Sequence, residues 1–147
     1  MAFQGVKSKD ILLYVNMGDE ITPDWLIIGC STSDGYSSSR DSVSVSTKCS
    51  GDFVENLPGD FTWSFSNTSY IDKNADATFA TLDEIFEISK EDNSRQWKLE
   101  SIDVDYDFLR IGYGFISDFS NTADQGDYLQ FDLTITGSGE VMNVVTT

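Results

Sequence analysis

The chain has 147 residues, with 25 Asp plus Glu against nine Lys plus Arg, no His, and a formal net charge of −16. That charge disfavours a tight grip on phosphate backbones. The missing imidazole removes the commonest general base, the commonest metal ligand and the usual partner of a Ser or Cys nucleophile. Ten Phe, six Tyr and three Trp in a 39% hydrophobic chain argue against disorder and for one domain, residues 1–147, with a real core.

Residues 1–9 read as a polar arm with no apolar leader. No apolar run approaches the roughly 20 residues that span a bilayer, so no membrane partner is expected. Asp10–Val15 and Trp25–Ile28 are strand-length apolar runs joined by a turn around Gly18 and Pro23. Ser31–Asp41 (STSDGYSSSRD) is small and polar and reads as a loop. Two amphipathic arms follow. Val43 and Val45 alternate with Ser42, Ser44 and Ser46, and Phe61, Trp63 and Phe65 alternate with Thr62, Ser64 and Ser66. Residues 48–60 between them are too many for a tight hairpin and read as a long inter-strand loop.

The helical pattern runs from Asp76, a candidate N-cap, to Lys90, with Phe79, Leu82, Ile85 and Phe86 on one stripe. Trp97 and Leu99 open a further strand. Leu109, Ile111, Tyr113 and Phe115 then alternate until Ile116 breaks the phase and predicts a bulge. After a turn over residues 121–126, Leu129, Phe131, Leu133 and Ile135 alternate with Gln130, Asp132, Thr134 and Thr136, and residues 141–147 form a short tail. About seven strands and one helix predict a mainly-β domain, a β-sandwich or partly open barrel with one flanking α-helix.

Chemistry finds little purchase. Asp103, Asp105 and Asp107 open like a calcium loop, but Phe108 and Gly114 stand where that loop wants Gly and Glu. There is no G-x-S-x-G, no P-loop and no zinc spacing. Cys30 and Cys49 read as free thiols. Trp25, Trp63 and Trp97 could form a sugar platform but sit inside strand patterns, where aromatic residues pack. The residues therefore predict no enzyme, no cofactor and no metal. A carbohydrate- or calcium-binding β-sandwich module is the alternative, with an acidic glycosidase behind it.

The ordered motifs carry more. Lys9–Val15 (KDILLYV) is similar to the opening strand of the major tail (tail tube) proteins of long-tailed bacteriophages, siphophage type. Trp25–Gly29 resembles their second strand, and the Ser-rich stretch 31–40 follows it as in that family. Val45–Gly51 (VSTKCSG), Glu55–Gly59 (ENLPG), Trp63–Phe65, Phe115–Ser120 (FISDFS) and Thr136–Gly139 (TGSG) match the remaining motifs in order. Cys49 and the acidic segment 89–107 depart from the pattern.

The resemblance implies a structural virion protein of the viral tail, without catalysis. Six copies form a homohexameric ring, and stacked rings conduct the genome during ejection. Its partners are other copies of itself, the tape measure, the tail terminator and the baseplate or tip, with DNA passing through the lumen without specific binding. A related tail component, a terminator or tube-initiating baseplate protein, is a nearby alternative. Under this reading Lys48, Cys49, Gly51, Phe53, Val54, Glu55, Leu57, Pro58 and Gly59 make the contact to the next ring. Ser42, Ser44, Ser46, Thr62, Ser64, Ser66, Gln130, Asp132 and Thr134 face the lumen.

Overall fold

A computed structural model describes residues 2–49, 51–73, 78–103 and 105–143. Their strands are β1 (Ile11–Asn16), β2 (Trp25–Ile28), β3 (Cys30–Val45), β4 (Glu55–Tyr70), β5 (Phe79–Ala80), β6 (Arg95–Ser101), β7 (Leu109–Thr122) and β8 (Gln130–Met142), with one α-helix, α1 (Leu82–Ser89), and a short 3-10 turn over Ser8–Asp10. All eight strands belong to one sheet of order β3-β4-β8-β7-β6-β1-β2-β5. Every pairing is antiparallel except β2 with β5.

That order carries a strong constraint. β2 is second from one edge of the sheet and β3 forms the other edge, yet only Gly29 joins them. Consecutive Cα atoms are about 3.8 Å apart, so the sheet must roll until its ends meet. The result is the partly open barrel, or sandwich with a shared strand, expected from the alternation. Gly29 makes the corner with φ of +53°, and a Cβ there would lie 2.8 Å from the Ser69 side chain and 2.9 Å from the Phe131 ring.

The rolled sheet encloses one core. Leu13, Val15, Leu26, Ile28, Trp63, Phe65, Trp97, Leu99, Phe131, Leu133 and Ile135 are buried in it, joined by Ile85 and Ile88 of α1. The expected alternation of β8 and β6 is present, with Phe131, Leu133 and Ile135 inward on one and Trp97 and Leu99 on the other. In β7 the inward positions are Gly112 and Gly114, while Tyr113 and Phe115 point outward. Close neighbours explain this inversion, the Thr136 carbonyl at 2.6 Å from a Cβ on Gly114 and an indole beside Gly112. A Cβ on Gly112 would come within 2.7 Å of Trp63, and one on Gly137 within 2.1 Å. Trp63 Nε1 donates to the Gly139 carbonyl at 2.9 Å and Trp97 Nε1 to the Gly114 carbonyl at 3.0 Å, so both buried donors are satisfied. The bulge expected at Ile116 is a register shift between Ile116 and Asp118.

Three expectations are corrected. Ser31–Asp41 is strand, not loop, because β4 supplies a partner along its length, from Ser31↔Ser69 to Arg40↔Phe61. The inter-strand loop is shorter than residues 48–60, since pairing continues to Val45↔Glu55 and leaves only residues 46–54 as the tip. The helix starts at Leu82. Thr81 caps it, its Oγ1 accepting from Glu84 N–H at 3.2 Å while Glu84 Oε1 accepts from Thr81 N–H. Phe79 lies in β5 instead, and Phe86 is exposed beneath the Lys90 ammonium. The Asp76 cap lies outside the described residues.

Gly29→Val tests the corner. The left-handed backbone costs a β-branched residue about 1–2 kcal/mol, and overpacking Ser69 and Phe131 adds about 1–3 kcal/mol. Chemical denaturation should show a loss on the order of 3 kcal/mol.

Candidate functional site

Two surfaces stand out, and both descend from the β3–β4 hairpin. The first is a polar sheet face. β4 buries Trp63, Phe65, Asn67 and Ser69, so Thr62, Ser64, Ser66 and Thr68 share the opposite face. Register carries that face sideways. Ser64 lies opposite Ser37 on one side and Thr136 on the other, Ser66 opposite Gly35 and Thr134, and Thr68 opposite Ser33 and Asp132. β7 extends it with Asp118 beside Thr134, Ser120 beside Asp132 and Thr122 beside Gln130. Cross-strand hydroxyls bond one another, Ser37 to Ser64 and Ser39 to Thr62, each at 2.9 Å. Thr68 Oγ1 donates to Asp132 Oδ1 at 2.8 Å.

The face holds the carboxylates Asp118 and Asp132 and no Lys or Arg. β4 and β8 contain no basic residue, while Arg40 pairs with inward-side Phe61 and Arg110 stacks on Phe108 and Tyr36. Thr62, Ser64, Ser66, Gln130, Asp132 and Thr134 are thus brought together as expected from their spacing. Ser42 and Ser44 are not among them. Arg40 to Ser42 is two steps on β3, while Phe61 to Pro58 is three on β4, so the extra residue is in β4. Alternation along β3 then runs unbroken and puts Ser42 and Ser44 on the side of Ser38 and Arg40. Ser46 lies beyond the strand. Ser37, Ser39, Thr68, Asp118, Ser120, Thr122 and Thr136 share the face but were not among the residues expected on it from sequence. The signal for the first two was the odd-position run Ser33, Gly35, Ser37, Ser39, obscured by equally polar neighbours.

The second surface is the hairpin's far end. Beyond Phe61 the two strands leave the core and brace each other, Arg40 Nη1 donating to the Gly59 carbonyl at 3.1 Å and Ser44 Oγ to Asn56 Oδ1 at 2.9 Å. Lys48, Cys49, Gly51, Phe53 and Val54 occupy the tip, whereas Glu55, Leu57, Pro58 and Gly59 belong to β4. Phe53 is 82% exposed, and Val43, Val54 and Leu57 are about half exposed or more. Cys49 is an exposed free thiol.

Beneath the hairpin's near end runs a buried polar chain. Asp34 accepts from Ser31 Oγ at 2.7 Å and from Asn67 Nδ2. Ser69 Oγ donates to Asn67 Oδ1 at 2.5 Å. Among the described residues no group of three or more acids or Cys could hold a metal. The Asp103 carboxylate instead accepts from Asp105 N–H at 3.0 Å within its own turn.

With this geometry in view, the model of the phage tail tube protein family matches residues 5–143. The chain belongs to that family. It is a tail component and not an enzyme. No protein of curated function matches the sequence. Among solved structures, the tail of an empty gene transfer agent particle, refined helically with C6 symmetry, matches at TM-score 0.74 and 17% identity over 96% of this chain and all of that one. The SPP1 tail tube matches at TM-score 0.70 and 15% identity, over 95% and 79%. The sheath–tube complex of an extracellular contractile injection system matches at 0.64 and 8%, over 95% and 93%. These likenesses establish a shared fold.

Burial raises the Asp34 carboxyl above its ordinary 3.8, against smaller downward pulls from Ser31 and Asn67. Folding therefore favours its neutral form. The stability it contributes is full below the unfolded value and is lost as pH rises through the folded one. Asp34→Asn keeps an oxygen to accept from Asn67, can donate its NH2 to Ser31 Oγ in place of accepting from it, and cannot ionise. Its melting temperature should exceed that of the parent at pH 7, and the gap should close at pH 3.

Proposed function

We propose that this tail tube protein assembles as hexameric rings stacked into a conduit for the genome, with the polar sheet face toward the lumen and the hairpin tip reaching the next ring. The C6 symmetry of the gene transfer agent tail, a shared fold, supports the ring number. The observation that carries the reading is the pairing, on one hairpin, of a cation-free hydroxyl wall with an apolar tip left in water. A solitary subunit needs neither.

The wall suits transport. Serine and threonine hydroxyls engaged across strands offer a wet, neutral surface, and Asp118 and Asp132 add repulsion toward a polyanion. That repulsion acts within about 8 Å of the wall at physiological salt, enough to keep phosphates from settling without hindering passage. The tape measure, terminator and baseplate or tip would meet the ring faces at the ends of such a stack.

Two experiments test this. Ser66→Lys with Thr134→Lys puts two adjacent ammonium groups on the wall. Tubes of the variant should retain DNA at low salt and release it as salt rises, whereas parent tubes should retain none. Replacing residues 46–54 with Asn-Gly closes the hairpin as a two-residue turn from Val45 to Glu55. That subunit should melt like the parent yet form no tubes by electron microscopy.

A further inference from the structure

The other end of β3 borders a groove of about 800 Å³ whose walls include Ile11, Ile27, Phe79 and Phe108 and whose cations are Lys9 and Arg110. The Arg110 guanidinium lies 4.8 Å over the Phe108 ring, and among the described residues neither cation has an ion-pair partner. Asp34 also borders the groove but is held by Ser31 and Asn67. The groove thus sets two unpaired cations above an apolar floor. They match a segment with an aromatic residue between carboxylates. The hairpin tip is such a segment: Asp52, the largely exposed Phe53, Val54 and Glu55.

We infer that this groove receives the hairpin tip of a second copy of the chain, Phe53 entering the apolar floor while Asp52 and Glu55 meet Lys9 and Arg110. The inference rests on the tip being an inter-ring contact and adds its receptor. The groove borders Ser33 and the tip follows Val45, so at about 3.3 Å per residue they lie roughly 40 Å apart along one strand. A tip cannot reach its own groove, but a copy displaced along β3 can fill it. The contact joins two different patches, so each added copy leaves one tip and one groove open and the stack propagates. Paired charges at the rim select register over competing contacts.

The test uses the full chain assembled into tubes. A photo-crosslinking benzoylphenylalanine at position 53 should join peptides containing Ile27, Phe79 or Phe108 of another copy. Cross-links confined to other surfaces overturn the assignment. Lys9→Glu with Arg110→Glu should raise the concentration needed for tube formation by about tenfold or more, and adding Asp52→Lys and Glu55→Lys should restore assembly. Failure of the restoring pair, with all subunits folded by circular dichroism, also overturns it. If Arg110→Glu does not fold, Lys9→Glu against Asp52→Lys carries the same comparison. If the subunit with the shortened tip stacks normally, the inter-ring contact itself falls. If it fails to stack while position 53 cross-links elsewhere, only the groove falls.

Discussion

Gly29 is the residue on which the architecture turns. One residue joins the strand next to one edge of an eight-stranded sheet to the strand at the other edge, and covalent geometry leaves rolling as the sole solution. Rolling gathers Trp63, Trp97, Phe65 and Phe131 into a single interior and turns the other face of β3, β4, β8 and β7 outward. It also brings the start of β3 past β1, β2 and β7, where Tyr36 and Arg110 meet. The polar face and the groove are therefore two consequences of the same corner.

The interior is set by two indoles as much as by aliphatic packing. Trp63 leaves no room for side chains beneath it, so β7 and β8 offer Gly112 and Gly137 there, and backbone carbonyls of Gly139 and Gly114 take the N–H protons of the two indoles. The outward turn of Tyr113 and Phe115 follows from that seat. The buried Ser31–Asp34–Asn67–Ser69 chain shows a second compromise. Polar groups beside the corner are tolerated because each finds a partner, and the carboxyl among them tends toward its neutral form.

The hairpin changes character along its length. Near the core its outward face is hydroxyl-rich and lacks cations. Beyond Phe61 an extra β4 residue reverses β4's alternation relative to β3, and apolar side chains reach solvent. An isolated edge strand of sixteen residues would be an aggregation hazard. Strong net negative charge moderates such indiscriminate association.

Local sequence determined what depends on period and residue type alone. The inward faces of Trp63–Phe65, Trp97–Leu99 and Phe131–Ile135, the bulge after Ile116 and a helix carrying Ile85 were legible, because alternation and helical spacing are written in neighbouring residues. The absence of His likewise removed most catalytic chemistry, and the ordered motifs pointed to the family. Tertiary structure decided the rest. STSDGYSSSRD has no apolar period, so only pairing with β4 makes it a strand and gives Ser37 and Ser39 a shared face. The same pairing shortened the loop and assigned Glu55 and Leu57 to β4. β7's inward glycines depended on the distant Trp63, and Phe79 left the helix because β2 offered it a parallel partner. Each of these choices depended on residues far away in the chain, which local period cannot encode.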